Sequence, residues 1–356
     1  MSGVPDDSYL DRIVDEDALA TYLESELGPA DTYAVERHEQ GHSNETLFVT
    51  WGDAELVIRR PPPGETAATA HDVLREYRVI DALQETPVRV PPTVAACEDH
   101  DVIGSDFYIM ERLDGDVIRE REPGRFATPE HRQRVGQELV DGLAEIHQVD
   151  IEAVGLDDFG HPEGFTQRQV KRWSEQLTWA FARTSEEREI PVLYEVMEWL
   201  QNNAPESHPH TLVHGDYKLD NVMFGPGTPP EIVGVFDWEL SALGDPLTDL
   251  GWLLSFWWDP EDPEPPTDLV STFVSHADYP TRQELVERYE SQTGIEYEHD
   301  RFYRTLAVYK LAGLGEMFFR RYLEGNSDDP LYEKMDDGVP ALAARAKRII
   351  DGEEPL

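Results

Sequence analysis

Residues 211–239 read TLVHGDYKLDNVMFGPGTPPEIVGVFDWE. Three short β-type runs, TLVHGD, NVMFG and EIVGVFDW, are separated by loop residues that include the turn GPGTPP, a pattern of short strands in a chain that is otherwise helical on both sides. Within it His214-Gly215-Asp216 is followed by Asn221, and Asp237 lies sixteen residues beyond Asn221. Phosphoryl transfer asks a protein to orient a hydroxyl and to hold a metal on the phosphates. A carboxylate, an amide oxygen and a second carboxylate around one pocket do this, so Asp216 fits the base and Asn221 with Asp237 fit the metal ligands. The runs Asn221–Phe224 and Ile232–Phe236, paired across the turn, would bring those two ligands together. Hard oxygen donors without a Cys or His cluster favour Mg²⁺ over Zn²⁺.

On the carboxyl side the pattern is helical over roughly 246–258, 281–293, 299–324 and 339–351, with DPEDPEPP at 259–266 expected as an exposed loop. Toward the amino side, helices are expected over 187–203 and 166–182. Another opens at Thr128-Pro129, an N-cap followed by Pro at the first helical position, and runs through Leu139 and Ile146. Before residue 115 the period changes. TYAVERHE, TLFVTWG and AELVIRR between Tyr33 and Arg60 read as a three-stranded antiparallel meander, ended by the PPPG run at 61–64. A helix over Thr69–Leu83 and two short strands, Thr93–Cys97 and Phe107–Glu111, follow, and a single amphipathic helix is expected over residues 7–28. The expected fold class is α+β. A sheet-rich portion spans 1–112 with a hinge near 110–114, and a mostly helical portion spans 113–356 with the hairpin 211–238 inserted.

Composition removes whole classes of function. Thirty basic against 73 acidic residues give a formal net charge of −43, a field that repels nucleic acid and anionic membrane alike. With 10% aromatic residues and eight Trp the chain is too rich in core-forming side chains to be disordered. The lone Cys97 forms no internal disulfide, the most apolar stretch, 251–258, is too short to cross a bilayer, and no secretory leader is visible, so a cytoplasmic location is expected. Acidic residues are spread along the chain and Lys is reduced to five positions, the pattern of a protein of a salt-accumulating, halophilic cell.

Taken with Asp237-Trp238-Glu239 and Gly244-Asp245-Pro246-Leu247-Thr248-Asp249-Leu250, the H-G-D-x-x-x-x-N run resembles the aminoglycoside phosphotransferase and choline kinase family of small-molecule kinases. The wording is closest to the branch whose kinase domain is fused, in some proteins, to acyl-CoA dehydrogenases. The resemblance covers roughly residues 30–325 and implies a bilobal protein-kinase-like fold, ATP and Mg²⁺ as cofactors, and a small hydroxylated acceptor, tilted by that branch toward a hydroxyacyl compound. It also implies roles for individual residues. Gly41, Ser43 and Asn44 would belong to a phosphate-covering turn, and Arg59 would stand where a Lys usually holds the α- and β-phosphates, with Glu76 as its helix partner. Met110, Glu111 and Leu113 would form the adenine hinge, and Lys218 would neutralise the transferred phosphoryl group. Two features depart from the family's usual pattern. The third strand carries Arg rather than Lys, and alternation lets only one of Arg59 and Arg60 face the nucleotide, Arg59 being favoured; the covering turn also lacks a G-x-G-x-x-G run. Eleven residues between Asp237 and Asp249 leave no room for a long activation segment, which argues against a protein substrate.

Two other functions fit less of the chain. A nucleotide-binding pseudokinase would not need the base and both ligands intact, and a His214-based metal hydrolase lacks further clustered His. His214, Asp245 and Asp249 are expected to brace the loop, His147 to complement its helix dipole only, and the aromatic run 252–258 to be core. Arg168, Lys171, Arg172, Arg320 and Arg321 are cationic spots that would attract an anionic substrate, a role that surface ion pairing explains nearly as well.

Overall fold

A computed structural model describes residues 7–38, 44–63, 72–206, 210–263, 265, 267, 273–326 and 329–356. The chain divides into two compact units, Met1–Gly115 with Val233–Leu240, and Asp116–Ile232 with Ser241–Leu356.

The first unit begins with α1 (Asp7–Ile13) and α2 (Glu16–Leu27) rather than one helix over 7–28. The break has a local cause: Asp15 adopts an extended conformation and caps α2, its carboxylate accepting from Ala18 N–H at 3.0 Å. Strands β1 (Tyr33–His38), β2 (Glu45–Trp51) and β3 (Ala54–Arg60) form the meander, with Gly52 at φ +60° in the tight turn between β2 and β3. Helix α3 (Val73–Ala82) starts four residues later than expected, capped by Asp72, and residues 64–71 lie outside the described ones. β4 (Thr93–Cys97), α4 (His100–Ile103) and β5 (Phe107–Glu111) complete a five-stranded sheet of order β1-β2-β3-β5-β4.

Alternation along β3 sorts its side chains to two faces. Leu56 and Ile58 join Leu47, Val49 and Ile109 in an apolar cluster that α1 and α2 cover through Ile13, Leu19 and Leu23. Fully burying each such side chain contributes about 1.5–3 kcal/mol. Arg60 points to this side, where its guanidinium donates to the carbonyls of Ile13 and Ile103. Val57 and Arg59 point to the other side, opposite Met110 and Tyr108 of β5.

The second unit is mostly helical. Its elements are α5 (Pro129–His147), α6 (Phe165–Thr184), α7 (Pro191–Asn203), β6 (Thr211–Val213), β7 (Val222–Phe224), β8 (Ile232–Val235, whose last three residues belong to the first unit) and β9 (Ala242–Gly244). The helices α8 (Leu247–Ser255), α9 (Arg282–Thr293), α10 (Asp300–Leu323) and α11 (Pro330–Asp351) follow. β6 pairs antiparallel with β9, a short strand that the periodicity did not indicate, with Leu212 opposite Leu243. Helix α10 is buried on most of its circumference and packs against α6, α8 and α11, so it forms the core of this unit.

Two expectations are corrected here. Helix α11 begins at Pro330, not 339, and runs through Pro340. Pro340 has no N–H for the Asp336 carbonyl, and Arg188 supplies the missing donor, its Nε lying 3.0 Å from that oxygen while Nη2 donates to the Met335 carbonyl at 3.0 Å. The 259–266 stretch is not simply an exposed loop. Asp262 accepts two bonds from the buried Arg282 guanidinium, at 2.7 and 2.8 Å, and Asp259 accepts from the Arg282 N–H at 3.1 Å. Residues 264 and 266 lie outside the described ones.

Candidate active site

The loop between β6 and β7 is held by a carboxylate of α8. Asp249, in the first turn of α8, accepts the backbone N–H of His214 through Oδ2 at 2.6 Å and that of Gly215 through Oδ1 at 2.9 Å. Burial alone would raise the Asp249 pKa, but His147, His214 and these bonds hold it below the usual carboxylate range. His147 thus has more to do than complement a helix end. It is fully buried, with Nδ1 2.7 Å from the Tyr289 hydroxyl and Nε2 3.4 Å from Asp249. Asp245 ties the start of α8 in the same way, accepting from Leu247 N–H at 3.0 Å and the Tyr303 hydroxyl at 2.7 Å.

Gly215 sits at φ +84°, in the left-handed region that a side chain disfavours, and this turn presents Asp216 away from the strand. His214, fully buried, accepts the Asp216 N–H through Nδ1 at 3.2 Å. The Asp216 carboxylate then meets three donors. Oδ2 accepts from Lys218 Nζ at 2.7 Å and from Asn221 Nδ2 at 2.8 Å, and Oδ1 accepts from the Trp252 indole N–H at 2.8 Å. Burial pushes its pKa up, but Lys218 and Lys310 outweigh that and hold it below the ordinary value, so Asp216 is ionised near neutrality. Asn221 also donates Nδ2 to the Asp216 carbonyl at 2.8 Å, so its amide nitrogen is committed to Asp216.

Two residues of this constellation were not singled out from the sequence. Trp252 was expected as core, and its ring is indeed buried, yet its N–H is committed to Asp216. Lys310, on α10, places Nζ 2.5 Å from the Gly215 carbonyl and 3.8 Å from the Trp252 ring centroid. Of the cationic spots, Arg168 is taken up by the carbonyls of His161 and Glu163, and Arg320 by Glu324 at 2.7 Å and the Trp179 carbonyl at 2.5 Å. Beside Lys218 a cleft of about 790 Å³ opens between Phe256, Trp257, Phe273, Arg119 and Asp220.

In the first unit a second charged group forms around Arg59. Its Nη2 lies 3.5 Å from Glu76 Oε2 and 3.7 Å from Asp237 Oδ1, and Nη1 donates to Thr46 Oγ1 at 3.0 Å. Burial works against the Arg59 charge, but Glu76, Tyr108, Asp237 and Glu239 outweigh it and raise its pKa. Glu76 is 1% exposed; burial raises its pKa, Arg59 opposes that, and Trp238 N–H donates to it at 3.3 Å. Asp237 stands at φ +65°, unusual for a residue with a Cβ, and its buried Oδ1 has no hydrogen-bond donor among the described residues. A strained carboxylate with an oxygen lacking a hydrogen-bond donor suits a cation ligand. Among the described residues no three His, Cys, Asp or Glu side chains converge as a cage. That suits Mg²⁺, whose shell comes largely from water and phosphate oxygens.

Met110 and Glu111 end β5, the Glu111 N–H bonding the Pro92 carbonyl at 2.8 Å, and Leu113 follows on the chain that leads out of the sheet, packed near Gly234. Asn44, just before β2, is buried, and its amide nitrogen and oxygen have no hydrogen-bond partner among the described residues. Gly41 and Ser43 lie outside the described residues. No helix among the described residues is long and apolar enough to cross a membrane.

Comparison with known proteins shows the family. The model of the phosphotransferase enzyme family matches residues 34–285. Acyl-CoA dehydrogenase family member 11 of Rattus norvegicus is 35% identical over 297 residues, covering 82% of this chain and 37% of that relative, so the chain spans little more than a third of the relative's length. A crystal structure of a Ralstonia eutropha protein assigned as an aminoglycoside phosphotransferase superposes with a TM-score of 0.79 at 30% identity, over 94% of this chain and 99% of that one. The GDP complex of wild-type aminoglycoside 2'-phosphotransferase-IIIa shares the fold at 14% identity, with a TM-score of 0.61 over 93% of this chain and 99% of that one. The fold is the protein-kinase-like one of these enzymes, and the chain belongs to the phosphotransferase enzyme family of small-molecule kinases acting on hydroxyl groups.

Proposed function

We propose that the chain transfers the γ-phosphoryl group of ATP, with Mg²⁺, to a hydroxyl of a small molecule, Asp216 accepting the hydroxyl proton. The observation that carries this reading is the Asp216 carboxylate, ionised and fixed by Lys218, Asn221 and Trp252, each within 2.8 Å. A base in this reaction chiefly orients the nucleophile, for which a rigidly held anion is suited. Lys218 is the cation beside it and would offset charge on the transferred group. Asn221 and Asp237 would be the Mg²⁺ ligands; the Asn221 amide nitrogen is committed to Asp216, and Asp237 Oδ1 has no hydrogen-bond donor among the described residues. The bound ion would neutralise phosphate charge during transfer. Arg59, held by Glu76, would contact the phosphates. Gly41, Ser43 and Asn44 would cover them, and the backbone of Met110, Glu111 and Leu113 would meet the adenine. The GDP-bound relative supports nucleotide use.

For the acceptor we favour a hydroxylated acyl compound, because the curated relative is an acyl-CoA dehydrogenase family member and the cleft beside Lys218 has aromatic walls. An enzyme rather than a pseudokinase is favoured because the base and both metal ligands are present together. Asp216→Asn is the test: turnover should vanish while ATP still raises the melting temperature, and retained turnover would remove Asp216 from its role.

A further inference from the structure

We infer that Lys310 is a positioning residue of the transfer centre: its ammonium joins the Gly215 carbonyl to the Trp252 indole and so fixes the Asp216 carboxylate. This inference rests on the reading of Asp216 as the base. Lys310 comes from α10, some ninety residues beyond the loop. Its Nζ donates to the Gly215 carbonyl at 2.5 Å and stands over the Trp252 ring at 3.8 Å and the Trp173 ring at 5.6 Å. Both first contacts lead to the same carboxylate. Gly215 is the residue before Asp216, at the one left-handed position of the loop, and Trp252 donates to Asp216 Oδ1 at 2.8 Å. A cation–π contact and a charge-assisted bond to a carbonyl are each strengthened when shielded from water. The clamp therefore holds the Oδ1 side of Asp216, while Lys218 and Asn221 hold Oδ2.

The clamp works only while Lys310 is protonated. Burial pushes its pKa down to about 8, from about 10.4 for a free lysine. Asp216 in the loop and Asp249 on α8 favour its charge, whereas Lys218 in the loop and Arg172 on α6 oppose it. As pH rises through about 8 the cation is lost, and with it the electrostatic part of both contacts, so turnover should fall on the alkaline side although Asp216 stays ionised throughout.

The full chain has five lysines and eight tryptophans, few enough to resolve by NMR. Lysine labelled with ¹³C at Cε and tryptophan labelled with ¹⁵N at the indole are followed from about pH 6 to about pH 10, with assignment by Lys310→Arg and Trp252→Phe. The Lys310 Cε and Trp252 indole resonances should titrate together with a midpoint near the depressed lysine value. In Lys310→Met the indole titration should disappear. MgATP hydrolysis with water as acceptor should drop about ten- to hundredfold in that variant, with the half-saturating ATP concentration unchanged. Lys310→Arg should restore most of the rate and abolish the alkaline fall. A Trp252 resonance that stays flat over this range in the wild type, or Lys310→Met at the wild-type rate, overturns the inference. Where Lys310→Met does not fold, Lys310→Arg decides, since an alkaline fall unchanged by arginine refutes the clamp. Asp216→Asn separates the two readings: turnover retained there, with Lys310 and Trp252 still titrating together, defeats the base and leaves the clamp standing.

Discussion

Asp249→Asn changes no volume and should still cost the second unit much of its stability. The Asp249 carboxylate accepts two backbone N–H groups, from His214 at 2.6 Å and Gly215 at 2.9 Å. A hydrogen bond to a charged, buried acceptor contributes about 1.5–3 kcal/mol. Asparagine keeps one acceptor oxygen and turns an NH₂ toward the other N–H, so one bond is lost and two donors face each other. The neighbouring His147, 3.4 Å from the carboxylate, also loses its anionic partner. The sum is about 2–4 kcal/mol, or a melting temperature lower by roughly 4–15 °C for a unit of this size. Denaturant unfolding monitored by Trp fluorescence reads it, the slope against denaturant staying constant. The pH dependence fixes the sign. A carboxylate with a depressed folded pKa stabilises above its unfolded value of about 3.9 and loses that contribution as pH falls through the folded value. The difference between wild type and variant should therefore shrink below about pH 4. A variant within about 0.5 kcal/mol of wild type at neutral pH would refute the claim that Asp249 carries the loop.

Three further outcomes follow from other charged groups. Glu76→Gln leaves the Arg59 guanidinium facing Asp237 alone, and the ATP concentration for a half-maximal thermal shift should rise about tenfold, equivalent to about 1.4 kcal/mol; an unchanged value would separate Glu76 from nucleotide binding. Arg282→Met strips Asp262 and Asp259 of their buried partner, an expected loss of about 3–5 kcal/mol by chemical denaturation. Part of that loss should return on mild acidification, because burial already raises the Asp259 pKa and protonation relieves the repulsion. The net charge of −43 predicts a melting temperature that climbs steadily from about 0.1 M to about 2 M KCl as self-repulsion is screened, and a flat profile would contradict this.

What could be read from the chain, and what could not, divides along sequence distance. Asp216, Lys218 and Asn221 lie within six residues, so their shared chemistry stands in one line of text, and the geometry of that loop follows from its Gly215 and the strand before it. The meander and the two short strands were legible because alternation of Val, Ile and Phe is local. Trp252 and Lys310 were not, since nothing near Trp252 in sequence says that its N–H meets a carboxylate 36 residues away. Helix α10 is buried around most of its circumference and mixes charged with apolar residues, so its one lysine gave no face to which it could be assigned. The role of His147 is not legible locally for the same reason: its partners, Tyr289 and Asp249, lie on other helices. The start of α11 was missed because Pro340 is a sound stop signal in isolation, and only Arg188, 148 residues from Asp336, cancels it. The boundary at Asp15 is legible in principle, as an Asp followed by two acidic residues is a helix-start signal, here set within an apolar repeat.

The most direct measurement is ³¹P NMR of MgATP incubated in molar KCl with hydroxyacyl-CoA esters, aminoglycosides, amino alcohols and sugars, for wild type and Asp216→Asn. A new phosphomonoester resonance that grows with one acceptor class and is absent in the variant is the result this account predicts. The same resonance growing at the wild-type rate in Asp216→Asn would contradict it.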